Sequence, residues 1–246
     1  MTLVQVRFLG SGDAFGSGGR LQTCFLLEGE NGSVLIDCGA SSLIALKREG
    51  IDPSEISWIV LSHLHGDHFG GIPFLILDGQ FSHRTQPLTI VGPPGVQRRV
   101  QAAMEIFFPG SSQVQQRFSV EFVELEERVA TAVGPATVTP FLVQHACGAP
   151  PYALRIEYGN KVISYSGDTE WSESLIEVAR GADLFICESY FFEKRVKYHL
   201  DYRTLRAHRD QLKCKWLILT HMNEDMLNRT IEVEEGRAED GLTVIL

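Results

Sequence analysis

The chain has 246 residues, 44% hydrophobic and 22% charged, the proportions of an ordinary globular protein with chain enough for a sizeable core. A net charge of −9 argues against broad, non-specific attraction to nucleic acid, and no apolar run approaches the length of a membrane span. The five cysteines form no C-x-x-C pair, which argues against a disulfide framework.

Met1 to Leu9 lacks the apolar core of a secretory leader, so a reduced, cytoplasmic protein folded as a single domain over 1–246 is expected. Val4 to Leu9 alternates and predicts a strand. It runs into a glycine-dense loop, Gly10 to Gly19, with Arg20 at its end as a candidate anion contact. Leu21 to Leu27 reads as a strand rather than a helix, so this loop is not a dinucleotide-binding turn. Ser33 to Ile36 predicts a strand ending at Asp37, and Ala40 to Glu49 a helix stopped by Gly50. Trp58 to Leu61 is an apolar run that leads to His63-Leu64-His65-Gly66-Asp67-His68.

A helix begins at Ile72 with Pro73 in its first turn, and Leu88 to Val91 is a strand before the turn Gly92-Pro93-Pro94-Gly95. A helix over about Val96 to Phe108 follows, then strands over Val120–Leu125, Glu127–Val133 and Ala136–Val143, the last leading to His145. Gly159-Asn160 joins the strands Ala153–Tyr158 and Lys161–Ser166 as a hairpin, which leads to Asp168 and a helix reaching Arg180. Ala182 to Cys187 ends at Glu188, Asp201 caps a helix reaching Leu212, and Lys215 to Thr220 ends at His221. Glu232 to Asp240 is acidic and reads as a solvated surface stretch. Strands first, then alternating strands and helices, twice over, give an α/β fold class: a four-layer αββα sandwich of two mixed β-sheets with helices on both outer faces.

The chemistry lies at the strand ends. Three imidazoles and a carboxylate within six residues form the borderline ligand set that suits Zn²⁺, Mn²⁺ or Fe²⁺. Taken singly, His145 and His221 would pass for ordinary strand-end histidines and Asp168 for a turn or cap residue. Open α/β sheets, however, bind ligands beyond the carboxyl ends of their strands, and four strands that each deliver a metal-competent side chain there describe one converging site.

These residues resemble the metallo-β-lactamase superfamily over nearly the whole chain. Asp37 in Leu35-Ile36-Asp37-Cys38-Gly39 resembles its first motif, which braces the site; His63, His65, Asp67 and His68 resemble the second; His145, Asp168 and His221 resemble the third, fourth and fifth. The resemblance implies two divalent ions, Zn²⁺ or Mn²⁺ with Fe²⁺ also compatible. His63, His65 and His145 would hold one, Asp67, His68 and His221 the other, and Asp168 would bridge them. A hydroxide between two such ions exists at neutral pH and attacks an electrophilic carbonyl or phosphorus, with Asp67 orienting it.

Asp168 in the bridging place, rather than a cysteine, points away from the antibiotic-degrading enzymes. Gly10-Ser11-Gly12-Asp13, and Glu188 followed by Tyr198-His199-Leu200-Asp201, resemble the RNase Z and phosphodiesterase branch. By that resemblance His199 is a candidate general acid and Glu188 its orienting partner; the plainer reading is a helix-capping His and a structural carboxylate. Homodimers are implied by resemblance only.

Three departures bear on the substrate. The interval from His145 to Asp168 holds a hairpin where RNase Z proteins carry a tRNA-gripping arm, and their Pro-x-Lys-x-Arg-Asn-type loop near the N-terminus is missing. The related cyclic phosphodiesterase of carbon–phosphorus bond cleavage has zinc-binding cysteines that Gly12 to Arg20 lacks. The leading expectation is an armless binuclear phosphodiesterase acting on a small anionic substrate, cyclic phosphodiesters included. The alternatives are a thioester or lactone hydrolase on the same site, a tRNA 3′ processing endonuclease, and a non-hydrolytic metal-binding sensor.

Overall fold

Two seven-stranded mixed sheets face each other in the computed structural model, which describes residues 3–229 and 231–246. Met1 and Thr2, on which the leader reading partly rests, lie outside the described residues. The first sheet is built from β1 (Val4–Gly10), β2 (Cys24–Gly29), β3 (Gly32–Ile36), β4 (Trp58–Val60), β5 (Leu88–Gly92) and β6 (Val120–Glu124). The second takes β7 (Thr131–Val133), β8 (Ala136–Leu142), β9 (Tyr152–Tyr158), β10 (Lys161–Tyr165), β11 (Leu184–Glu188), β12 (Trp216–Thr220) and β13 (Gly236–Arg237). The chain then returns to the first sheet as β14 (Thr243–Ile245), antiparallel to β1.

In each sheet an antiparallel part gives way to four parallel strands: β3 to β6 in one, β10 to β13 in the other. The helices between them are α1 (Ser42–Arg48), α2 (Gly66–Phe69), α3 (Ile72–Phe81) and α4 (Val96–Phe107) in the first half, and α5 (Ser174–Ala179), α6 (Tyr202–Ala207) and α7 (Glu224–Leu227) in the second. No described helix is long and apolar enough to cross a membrane.

Period-2 alternation explains why the layers separate cleanly. Val4, Val6 and Phe8 of β1 point between the sheets, where they meet Val60, Ile156, Tyr165 and Ile186. Phe8 packs edge-on against Phe25, and Phe25 against Tyr165, at centroid distances of 5.0 and 5.2 Å; a buried side chain such as Phe contributes roughly 1.5–3 kcal/mol. The opposite face of the first sheet packs Leu26, Leu35 and Ile59 against Leu46, Leu75, Ile76 and Val100 of α1, α3 and α4. The outer face of the second packs Phe185 and Leu219 against Leu175, Leu205 and Met226 of α5, α6 and α7. The αββα sandwich expected from the sequence is the fold observed.

Three local expectations are corrected. The residues after Asp168 are not helical until Ser174, because Thr169 N donates to the Glu188 carboxylate while Thr169 Oγ1 accepts from Gln144 N, which pins the loop. The strand begins at Thr131 rather than Glu127; Arg128 has φ 63° and forks onto Glu177 with bonds of 2.8 and 2.9 Å. The 232–240 stretch is not merely solvated: Ala238 is fully buried, and Asp240 accepts from Ser11 N and Leu21 N.

Candidate metal centre

The carboxyl ends of the parallel strands converge on one buried cluster. Asp37 leaves β3 with φ 55°, a left-handed turn that aims its carboxylate back under the site. Its Oδ1 accepts from Ser62 N and its Oδ2 from Ser62 Oγ, both at 2.8 Å, and Oδ2 lies 2.7 Å from His68 Nδ1. Asp37 therefore fixes the turn that carries the His cluster and takes the Nδ1–H of His68, which leaves Nε2 as that ring's ligand atom. His65 caps α2 in an extended conformation, so Asp67 and His68 fall in the helix's first turn.

Asp168 follows Gly167, which has φ 58°; a Cβ at Gly167 would lie 2.7 Å from Tyr152 O, so only glycine fits that turn. Asp168 Oδ2 lies 3.2 Å from His221 Nε2, 3.3 Å from His68 Nε2, 3.8 Å from His63 Nε2 and 4.0 Å from His145 Nε2. The seven expected ligands are thus brought together in two groups around that carboxylate. One comprises His63, His65 and His145, the other Asp67, His68, Asp168 and His221, and the ligand atoms of each group lie within 4.8 Å of one another.

The donor set fits divalent ions on an observation independent of spacing. His63 Nε2, His68 Nε2 and Asp168 Oδ1 are buried with no hydrogen-bond partner among the described residues. Orphaned buried polar atoms are costly, and here three belong to one cluster of unshared ligand atoms. Electrostatics agrees. Burial lowers His63 well below the ordinary imidazole value and His145 to about 4, so both rings are neutral near pH 7, as ligands must be. Burial works against the ionised form of Asp67, yet His68 beside it brings the carboxyl down to about 2. The anions of Asp168, Asp67 and Asp37 around His68 outweigh its burial and raise its value well above normal, so without a metal ion the positive charge at this end of the cluster is a proton on His68.

Glu188, fully buried at the end of β11, meets His199 at the edge of the cluster, Oε2 to Nδ1 at 3.1 Å. Burial raises Glu188 to about 7 and by itself lowers His199; the charge of Glu188 and its hydrogen bond reverse the second effect and carry His199 up to about 9. The His199 side chain is 21% exposed, its ring lies 5.1 Å from that of His145, and it stacks 5.7 Å from that of His221.

Arg20 is not brought to the cluster. Its Nη1 donates to Ala238 O at 2.7 Å, beside Glu239 and Asp240, so it ties the glycine loop to the C-terminal segment. Two glycines of the loop serve close packing: a Cβ on Gly10 would lie 1.9 Å from Gln22 O and one on Gly12 2.9 Å from Leu21 O. Two residues escaped sequence reasoning. Ser62 joins Asp37 to His63, with Oγ 3.1 Å from His63 Nδ1, and its place directly before the His cluster was the available signal. Tyr198 contributes a backbone carbonyl to His145 Nδ1 at 2.8 Å, a role that no side-chain type announces.

Residues 4–239 match the family described as Anti-Pycsar protein Apyc1. The chain belongs to that family. Its fold is the metallo-β-lactamase fold, and its relatives in sequence include proteins named ribonuclease Z. A ribonuclease Z of Agathobacter rectalis is 27% identical over 238 residues, covering 78% of this chain and 77% of the relative. The metallo-β-lactamase fold protein YhfI from Bacillus subtilis superposes with a TM-score of 0.79 at 23% identity over 100% of both chains. A diphosphatase of the PhnP family superposes with a TM-score of 0.76 at 20% identity, over 98% of this chain and 97% of its own.

Proposed function

We propose that this chain, acting as one domain, is a binuclear metal-dependent phosphodiesterase for small phosphodiesters, cyclic ones included. The Glu188–His199 pair at the rim of the cluster carries the reading. His63, His65 and His145 would hold one ion, Asp67, His68 and His221 the other, with Asp168 between them. Such ions supply positive charge for the developing oxyanion and ionise water at neutral pH.

The chain's own residues do the rest. Asp67 accepts a hydrogen bond from the attacking water and fixes its direction. Asp37 and Ser62 keep His68 and His63 in register. Glu188 occupies Nδ1 of His199, so the proton delivered to the departing oxygen comes from Nε2. An alkoxide leaving phosphorus needs that proton more than a thiolate leaving a thioester does, which favours a phosphodiester over the thioester alternative.

Relatives named ribonuclease Z make tRNA the rival substrate. Between His145 and Asp168 the chain builds only the β9–β10 hairpin, paired in register from Tyr158–Lys161 to Leu154–Tyr165, which supports small substrates instead. The test is a panel of bis(p-nitrophenyl) phosphate, a p-nitrophenyl thioester, an aryl lactone and precursor tRNA with Zn²⁺ or Mn²⁺. Turnover of the phosphodiester with negligible tRNA cleavage is expected. Robust thioester or lactone turnover without phosphodiester hydrolysis, or efficient tRNA 3′ cleavage, contradicts the reading.

A further inference from the structure

His221, directly after β12, is buried and has a left-handed backbone with φ 57°. A non-glycine residue keeps that conformation only where its surroundings over-determine it. Its ring receives little help. For three of the other ligand candidates the outer nitrogen has a close partner: His68 Nδ1 lies 2.7 Å from Asp37 Oδ2, His145 Nδ1 2.8 Å from Tyr198 O and His63 Nδ1 3.1 Å from Ser62 Oγ. His221 Nδ1 meets Thr23 Oγ1 at 3.5 Å, the weak limit of a hydrogen bond. The aim of this ring therefore depends on its backbone more than on its outer nitrogen.

That backbone is held by a carbonyl of the glycine loop. Ser11 O accepts from His221 N and from Thr220 Oγ1, both at 3.2 Å. Ser11 is fully buried, and the other side of the residue is gripped by Asp240, whose Oδ1 accepts from Ser11 N and Ser11 Oγ, both at 2.9 Å. Asp240 Oδ2 accepts from Leu21 N at 2.8 Å, beyond the far end of the same loop. A carboxylate suits this place because all three partners are donors, two of them backbone N–H groups.

Asp240 is itself anchored to both sheets. Ala238 N donates to Leu219 O of β12 and Gly241 N to Phe8 O of β1, both at 2.7 Å. The C-terminal segment thus carries one carboxylate to the point where β1 runs into the glycine loop and β12 runs into His221.

We infer that Asp240 is a positioning residue for His221: it holds the Ser11 residue whose carbonyl fixes the left-handed turn of that ligand. None of the bonds along this path involves His63, His65 or His145, so its effect belongs to one half of the cluster. The inference rests on the two-ion reading of the site and is independent of the substrate.

The test is a Zn²⁺ titration of the metal-stripped, full-length protein by calorimetry, with no substrate present. His221→Ala marks which equivalent belongs to Asp67, His68 and His221. In Asp240→Ala that equivalent is expected to bind about tenfold more weakly, the lower end of the range for losing a group that orients a metal ligand, with the other unchanged. Asp240→Asn keeps one acceptor oxygen for three donors and is expected to fall between the Ala variant and the wild type; it carries the test if the Ala variant does not fold. Ser11→Ala keeps the backbone N–H and carbonyl and is expected to bind as the wild type does. Val244→Ala is the structural control: it trims a buried side chain of the same C-terminal segment and is expected to lower Tm with both equivalents retained at wild-type affinity. Wild-type affinities in both Asp240 variants overturn the positioning role and leave the two-ion reading intact. So does a loss shared equally by both equivalents, or matched by Val244→Ala. A Ser11→Ala variant as weak as Asp240→Ala overturns the route through the backbone. A wild type that takes up one equivalent or none overturns the two-ion reading and this inference with it.

Discussion

His145 Nδ1 donates to the carbonyl of Tyr198 at 2.8 Å, and Tyr198 is a non-glycine residue with φ 74° placed directly before His199. One left-handed peptide thus turns a carbonyl onto a metal-ligand candidate and sends the next side chain to Glu188. A side chain in that region costs about 1–3 kcal/mol, and a β-branched one is the least tolerated there.

Tyr198→Val is therefore expected to lower kcat by about tenfold and to weaken binding at the His63–His65–His145 group, whereas Tyr198→Asn, at home in the left-handed region, keeps both near wild type. Zn²⁺ titration followed by calorimetry, beside kcat, distinguishes the two. Equal behaviour of the Val and Asn variants would show that the turn has no part in positioning.

His199→Ala should lower kcat roughly 10²–10⁴-fold with metal content nearly unchanged, the range for a positioned general acid. The deficit should shrink for p-nitrophenyl esters, whose leaving group needs little protonation. The pH dependence has a definite sign. The value of His199 is raised to about 9, so the acid form is present below it and lost as pH rises through it. The alkaline limb of the wild-type rate profile should fall near that value. In Glu188→Gln the raising carboxylate is gone, so the limb should move down toward the ordinary imidazole value. A limb that stays in place in the variant speaks against the pair.

Gly167→Ala tests the turn before Asp168. The added Cβ meets Tyr152 O at 2.7 Å in a backbone with φ 58°. A loss of about 2 kcal/mol in stability is expected, read as a lower Tm, together with weaker metal binding because Asp168 is displaced. Unchanged metal binding alongside the lower Tm would separate the turn from the site.

The cluster was legible because its ligands are side chains of distinctive chemistry that stand where strand-like runs stop: His63 after Trp58–Leu61, Asp168 after Lys161–Ser166, His221 after Lys215–Thr220. The sandwich was legible for the same reason, since period-2 runs separate cleanly from period-3.6 ones. What stayed hidden depends on partners distant in sequence. Helix propensity around Asp168 is overridden by Thr169 N on Glu188, Arg20 is claimed by Ala238 O, and Tyr198 acts through a carbonyl. The 232–240 stretch reads as polar surface, yet Asp240 fastens the glycine loop.

Removing single ligands should divide the cluster. His68→Ala is expected to lose mainly one of two metal equivalents, and Asp168→Ala to weaken both, because Asp168 Oδ2 lies within 4.0 Å of His63, His68, His145 and His221. Elemental analysis of each variant after metal loading checks this. Loss of both equivalents in His68→Ala would mean that the two groups do not act as separate sites.

The most direct test is a titration of the metal-stripped protein with Zn²⁺ or Mn²⁺, with bound metal and bis(p-nitrophenyl) phosphate hydrolysis measured at every step. Two equivalents per chain are expected, with activity absent in the stripped protein and rising to its maximum as the second binds. Hydrolysis that persists without metal, or a protein that saturates at one equivalent or none, contradicts a binuclear phosphodiesterase.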